Sequence, residues 1–157
     1  LGSVYQQLGL AVSPDDCSLA LRGLQTLALR LDMLEKSALT IAHWLAEQPS
    51  VNRVLHPALA SCPGHDVWAR DFTGSTSVFS FVFDNHIDAK QVINFINNLQ
   101  IFRIGMSWGG VNSLAVVYPD LIRPNQDFAG RIVRLNIGLE DVDDLISDLE
   151  HAFRMMA

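Results

Sequence analysis

Lysine is almost missing from this chain. Of 157 residues only Lys36 and Lys90 are lysines, so any chemistry needing a side-chain amine must use one of these two or find it elsewhere. Charge is scarce in general: charged residues are 18% of the chain against 49% hydrophobic. That balance excludes an intrinsically disordered chain, which would be polar and highly charged. Basic excess is also lacking. Eleven Lys and Arg face seventeen Asp and Glu, for a net charge of −6, and no basic footprint for nucleic acid is visible. No apolar run approaches the 18 or so residues of a membrane span. The N-terminus lacks the basic region and continuous apolar stretch of a signal peptide. The two cysteines, Cys17 and Cys62, do not make a disulfide framework and read as reduced thiols of a cytoplasmic protein. No internal repeat, low-complexity tract or linker stands out.

The length suits about one domain with a real core. A mean hydropathy of +0.20 is high for a lone soluble domain, so part of the surface is expected to be covered by something else. Ser13-Pro14-Asp15-Asp16 reads as a helix start, with a capping serine, proline at the first position and acids at the positive dipole end. Apolar residues from Leu24 to Leu45 then recur at helical spacing, and the pattern stops at Gln48-Pro49. One continuous helix over this span would be about 50 Å long, against a globule about 40 Å across. It must bend, with Gly23 the natural place, or run beyond the domain and join it to another. Strands are expected at 51–55, 76–83, 101–106 and 132–137. Residues 56–71 read as loop with one helical turn. Asp88 and Asp141 should cap two amphipathic helices. The sum is α+β: a small, mostly antiparallel sheet with helices on one face.

Three constellations could carry chemistry. Gly105-Met106-Ser107-Trp108-Gly109 fits the G-x-S-x-G nucleophile elbow and comes after a strand. The elbow needs several parallel strands before it, however, and His151, the available base, lies inside a periodic helix; we reject it. In the strand at 132–137, Val133, Leu135 and Ile137 share one face while Arg134 and Asn136 point the other way. The planar guanidinium of Arg134 suits bidentate binding of a carboxylate, although a solvated arginine on an open sheet face would give the same pattern. His56, Cys62 and His65 fall within one loop, but their spacing matches no zinc signature, so no metal is expected. Trp108, between a serine and two glycines, should sit on a turn and line a cleft.

Three segments carry a resemblance. Arg22 to Leu27 (RGLQTL), Ser107 to Leu114 (SWGGVNSL) and Arg134 to Asp141 (RLNIGLED) are similar, in order, to segments of the Cys/Met-metabolism family of enzymes dependent on pyridoxal 5'-phosphate (PLP). Tryptophan after Ser107, together with His56 to Leu59 and Arg70 to Ser75, resembles the β-lyase branch of that family. The resemblance implies the fold-type I architecture of aspartate aminotransferase: a large PLP-binding domain, then a small C-terminal domain joined by a long helix. In these terms residues 1–48 would be the connector region and 49–157 the small domain, packed against the chain's own N-terminal PLP domain.

The resemblance also implies roles. Arg134 matches the arginine that pairs with the substrate α-carboxylate. Ser107 matches the serine that positions it, Trp108 a tryptophan beside the substrate, and Gly109 a point of close backbone approach. Asn136 holds a variable, secondary position. The implied reaction is α,β-elimination on L-cystathionine or a related cysteine conjugate, in methionine biosynthesis, by a cytoplasmic homotetramer. Asn112 and Met106 depart from the family pattern, and the connection from Ser113 to Arg134 is short. The family's PLP lysine belongs before Leu1, and neither Lys36 nor Lys90 sits in its context, so this stretch alone is expected to be inactive. Two alternatives stay open: a γ-lyase or γ-synthase sibling, or a non-catalytic α+β binding or dimerisation module.

Overall fold

The computed structural model describes residues 2–9, 11–119, 122–123, 126–128 and 130–156. They form two compact units, Leu1–Asp32 and Met33–Ala157. The first holds α1 (Gly2–Gln7), α2 (Pro14–Leu24) and the start of α3 (Leu27–Ala46). The Ser13 side chain accepts the Asp16 N–H at 3.0 Å, and Asp15 and Asp16 occupy the first turn. No residue of α1 or α2 is buried.

Of the two outcomes expected for the helical span 14–48, the interruption near Gly23 is the one present: α2 ends at Leu24 and α3 starts at Leu27. In an unbroken helix the Gly23 carbonyl would accept the Leu27 N–H. Here it accepts the Thr26 N–H at 3.4 Å and the Arg30 guanidinium at 2.7 Å. Glycine is a poor helix interior residue, and Arg30 supplies the partner that lets the ladder end there.

The second unit is a five-stranded sheet in the order β1-β2-β7-β4-β3. Its strands are β1 (Val51–Leu55), β2 (Val78–Phe83), β3 (Arg103–Ile104), β4 (Leu114–Val117) and β7 (Ile132–Asn136). The pairs β1–β2, β2–β7 and β4–β7 are antiparallel, and β3–β4 is parallel. A short hairpin, β5 (Ile122–Arg123) with β6 (Gln126–Asp127), lies in the connection before β7. The strand expected at 101–106 shrinks to two residues, and β4 has no counterpart among the expected strands. The segment expected to be loop holds α4 (His65–Asp71), two turns rather than one. The helices capped by Asp88 and Asp141 form as α5 (Ala89–Asn97) and α6 (Val142–Met155); at α5 the Asp88 and Gln91 side chains close a capping box.

Helices α3, α5 and α6 cover one face of the sheet. Ile41, Ala42 and Leu45 from α3, Val92 and Phe95 from α5, and Leu145 and Leu149 from α6 share one core with Phe79, Phe81, Phe83, Val133 and Leu135. Period-two alternation on β2 and β7 puts these strand residues on the helical side. The rings of Phe83 and Phe95 meet edge to face at 5.2 Å, the geometry their quadrupoles favour. The opposite face carries a smaller cluster of Val82, Phe128 and Ile132, and this is the face Arg134 shares.

One buried carboxylate fastens the link from α5 to β3. Asp148 of α6 accepts the N–H groups of Gln100, Ile101 and Phe102 at 2.8, 2.8 and 3.1 Å. These donors have no sheet partner, and loss of the acceptor strands them. Asp148→Ala is expected to lower the unfolding free energy by about 2–4 kcal/mol, read as a lower urea midpoint; a shift under about 0.5 kcal/mol would show that water replaces the carboxylate.

Candidate functional site

Arg134 lies at the middle of β7, the central strand, opposite Ser80 of β2 and Val116 of β4. It is half-buried and directed away from the helical core. Its Nη2 donates to the carbonyls of Met106 at 2.7 Å, Ser107 at 3.3 Å and Gly105 at 3.5 Å. The guanidinium carbon stands 5.9 Å from the Tyr118 ring centroid, within cation–π range. Its Nε is buried with no hydrogen-bond partner. Among the described residues no carboxylate pairs with Arg134; the ion pairs there are Arg70–Asp71, His86–Asp84 and Arg154–Glu150. A permanently charged fork is thus seated by backbone carbonyls, with no carboxylate partner among the described residues.

The turn that supplies those carbonyls is tied to β7 and the residues after it. Ser113 is fully buried; its N–H and hydroxyl both donate to the Glu140 carboxylate at 2.8 Å, and its Oγ accepts the Gly138 N–H at 2.8 Å. The Leu139 N–H donates to the Val111 carbonyl at 2.9 Å. Gly138 is where close approach requires glycine: a Cβ there would lie 2.5 Å from the Val111 carbonyl oxygen. At Gly109 the requirement differs. A Cβ would meet nothing within 4 Å, but φ is +77°, a region favourable to glycine.

Of the expected site residues, Arg134, Ser107, Trp108 and Gly109 come together at this turn. Ser107 reaches Arg134 through its carbonyl; no hydrogen bond of its hydroxyl is present among the described residues. The side chains of Trp108 and Met106 on this turn are 68% and 70% exposed, so the turn that seats the arginine carries apolar surface. Asn112 and Met106, expected from the resemblance to be departures, meet the site through main-chain carbonyls, which any residue provides. Sequence pattern assigns no role to Ser113, Gly138 and Glu140, although they stand inside the family-like segments; their small and acidic types are the available signal.

The other constellations do not assemble. Ser107 makes no described contact with a histidine, and His151 is on α6 in the helical layer. His56 is buried, its Nδ1 accepting the Ala58 N–H at 3.2 Å and its ring edge-to-face with Phe79. His65 Nδ1 is 2.9 Å from the Pro57 carbonyl. Among the described residues no three His, Cys, Asp or Glu gather to hold a metal. His56, Trp68, Phe72 and Val78 line a cavity of about 400 Å³ that holds none of the residues around Arg134.

The Cys/Met metabolism PLP-dependent enzyme family model matches residues 1–154. The chain is 45% identical to the cystathionine beta-lyase MetC of Escherichia coli K12 over 152 residues, 93% of this chain and 38% of that protein. It is 41% identical to the cystathionine beta-lyase of Haemophilus influenzae over 156 residues, 96% of this chain and 39% of that one. The structure of an O-acetylhomoserine sulfhydrylase from Wolinella succinogenes superposes with a TM-score of 0.81 at 28% identity, over 95% of this chain and 40% of the other. The chain therefore spans about two fifths of the length of the relatives it matches.

Burial gives one of these residues a pH signature. Desolvation holds His56 below its ordinary value. In the unfolded chain it titrates near 6.5, so between that value and its lower folded one the unfolded state binds the extra proton. Stability is then full above about pH 6.5 and falls as pH drops through this window. Urea midpoints between about pH 5 and 7.5 should decline on acidification, and His56→Gln should flatten the decline; an equal slope in both proteins would remove His56 as the cause.

Proposed function

The chain belongs to the Cys/Met-metabolism family of PLP-dependent enzymes, and on that footing we propose that it is the C-terminal part of a carbon–sulfur lyase whose Arg134 binds the substrate α-carboxylate. The observation that carries this reading is the half-buried guanidinium at the centre of the sheet, seated on the carbonyls of the 105–107 turn and without a carboxylate partner among the described residues. Of the family's reactions, we favour β-elimination of L-cystathionine, which with one water gives L-homocysteine, pyruvate and ammonia. The Escherichia coli and Haemophilus influenzae relatives both carry the name of that lyase. A carboxylate clamp alone serves β- and γ-acting siblings equally, and the sulfhydrylase neighbour keeps the sibling reading alive.

In this reading residues 1–48 connect an upstream PLP-binding half to the small domain 49–157. Leu19, Leu21 and Leu29, 63–72% exposed, are surface such a half could cover. PLP, when bound, supplies an electron sink for the Cα–H bond broken in the reaction. The side chains present here do not fit its covalent attachment. Lys36 and Lys90 lie on α3 and α5, in the helical layer, whereas Arg134 faces the other side of the sheet. Arg134 instead suits a paired, charge-assisted grip on a carboxylate, which fixes the substrate's Cα relative to β7. The carbonyls on Nη2 restrict how the fork can turn. The exposed Trp108 and Met106 side chains, on the turn that seats Arg134, are the apolar surface available to a thioether chain.

The complete gene product carrying this chain is expected to release pyruvate and free thiol from L-cystathionine, and Arg134→Ala to lower kcat/KM at least about tenfold. Absence of pyruvate from the wild type would sink the lyase assignment; near-wild-type kinetics of the variant would take Arg134 out of the site. The 157-residue chain, supplied with PLP and L-cystathionine, is expected to yield no pyruvate, and turnover by it would overturn the need for an upstream half.

A further inference from the structure

Asn136 shares the face of Arg134, two residues along β7, and is fully buried. Its Oδ1 accepts the Gly109 N–H at 2.8 Å and the Ser77 hydroxyl at 3.0 Å, and its Nδ2 donates to the Asn112 carbonyl at 3.0 Å. A backbone N–H can only donate and a carbonyl can only accept, so the two backbone contacts fix which end of the amide is which. One side chain on the central strand thus pins both ends of the Gly109–Asn112 stretch. The residues just before it, Met106 and Ser107, supply the carbonyls that hold the Arg134 guanidinium. The hydroxyl of Ser77, itself buried, braces the amide from behind.

We propose that Asn136 is the positioning residue of the carboxylate site: by locking the turn, it sets where the Arg134 guanidinium stands. The carboxylate half of this statement rests on the function proposed above; the locking of Arg134 does not. A merely structural asparagine would affect stability but not the arginine's own behaviour, which gives the test its discrimination.

The isosteric Asn136→Asp keeps the acceptor, loses the donor and sets a carboxylate against the Asn112 carbonyl. In the complete gene product it is expected to raise the rate of Arg134 modification by phenylglyoxal about tenfold or more, read by peptide mass spectrometry, with faster hydrogen exchange over residues 105–113. An unchanged Arg134 modification rate would overturn the proposal, whether or not the protein proves to be a lyase. With L-cystathionine as substrate, KM should rise about tenfold while kcat stays within about threefold. In an Arg134→Ala background the same substitution should leave KM unchanged, because the two act through one grip. Equal KM effects in both backgrounds would show that Asn136 does not act through Arg134. A wild type without lyase activity would defeat the function proposed above, and the phenylglyoxal result would still decide this one. If Asn136→Asp does not fold, Ser77→Ala removes only the brace; a smaller rise in Arg134 modification supports the proposal, and none overturns it.

Discussion

Alternation along the central strand is the constraint on which the site depends. A strand in the middle of a sheet with one helical face must send successive side chains to opposite sides. On β7, Val133 and Leu135 are fully buried against α3, α5 and α6, so Ile132, Arg134 and Asn136 are forced onto the other side. Register with β2 and β4 then fixes Arg134 between Ser80 and Val116. A slip of one residue would drive the guanidinium into the aromatic core and bring Leu135 out. The apolar residues of β7 thereby hold the arginine in place as firmly as any contact it makes itself.

The turn at 105–113 is the second half of the site, and it has little structure of its own. It comes after a two-residue edge strand and contains Gly109 at positive φ. Its order comes from outside: Asn136 at one point, and Glu140 and Gly138, both bonded to the turn's own Ser113, at another. All of these outside partners are on β7 or just after it. The strand that presents the cation therefore also holds the loop that seats the cation, so the two halves of the site have one reference frame.

The same dependence accounts for what the chain tolerates. Met106 and Asn112 each meet the site through a carbonyl, which a residue of any type provides. Positions contributing side chains to the fastening, Ser113, Glu140 and Asn136, have geometry that a neighbour could not imitate. Asp148 plays a parallel part on the helical side, where it satisfies three stranded N–H groups at the entry to β3.

Much is legible in order along the chain, because local physics writes it there. The caps at Ser13, Asp88 and Asp141, the alternation at β2 and β7, and the outward face of Arg134 arise from periodicity and hydrogen-bonding groups within a few residues. The break after Leu24 is half legible: Gly23 marks the place, but Arg30 has to fold back on its carbonyl to end the helix. Strand β4 and the two turns of α4 are not legible, since four residues paired in a sheet, or seven in a helix, owe their state to neighbours far away in sequence. The partnership of Asn136 with Gly109 and Asn112, across 27 and 24 residues, is likewise invisible. By itself the sequence determined the α+β class, the face on which Arg134 stands and the shortage of lysine. Only the tertiary structure decided which residues seat that arginine, because long-range hydrogen bonds depend on register and burial, which no short window of residues contains.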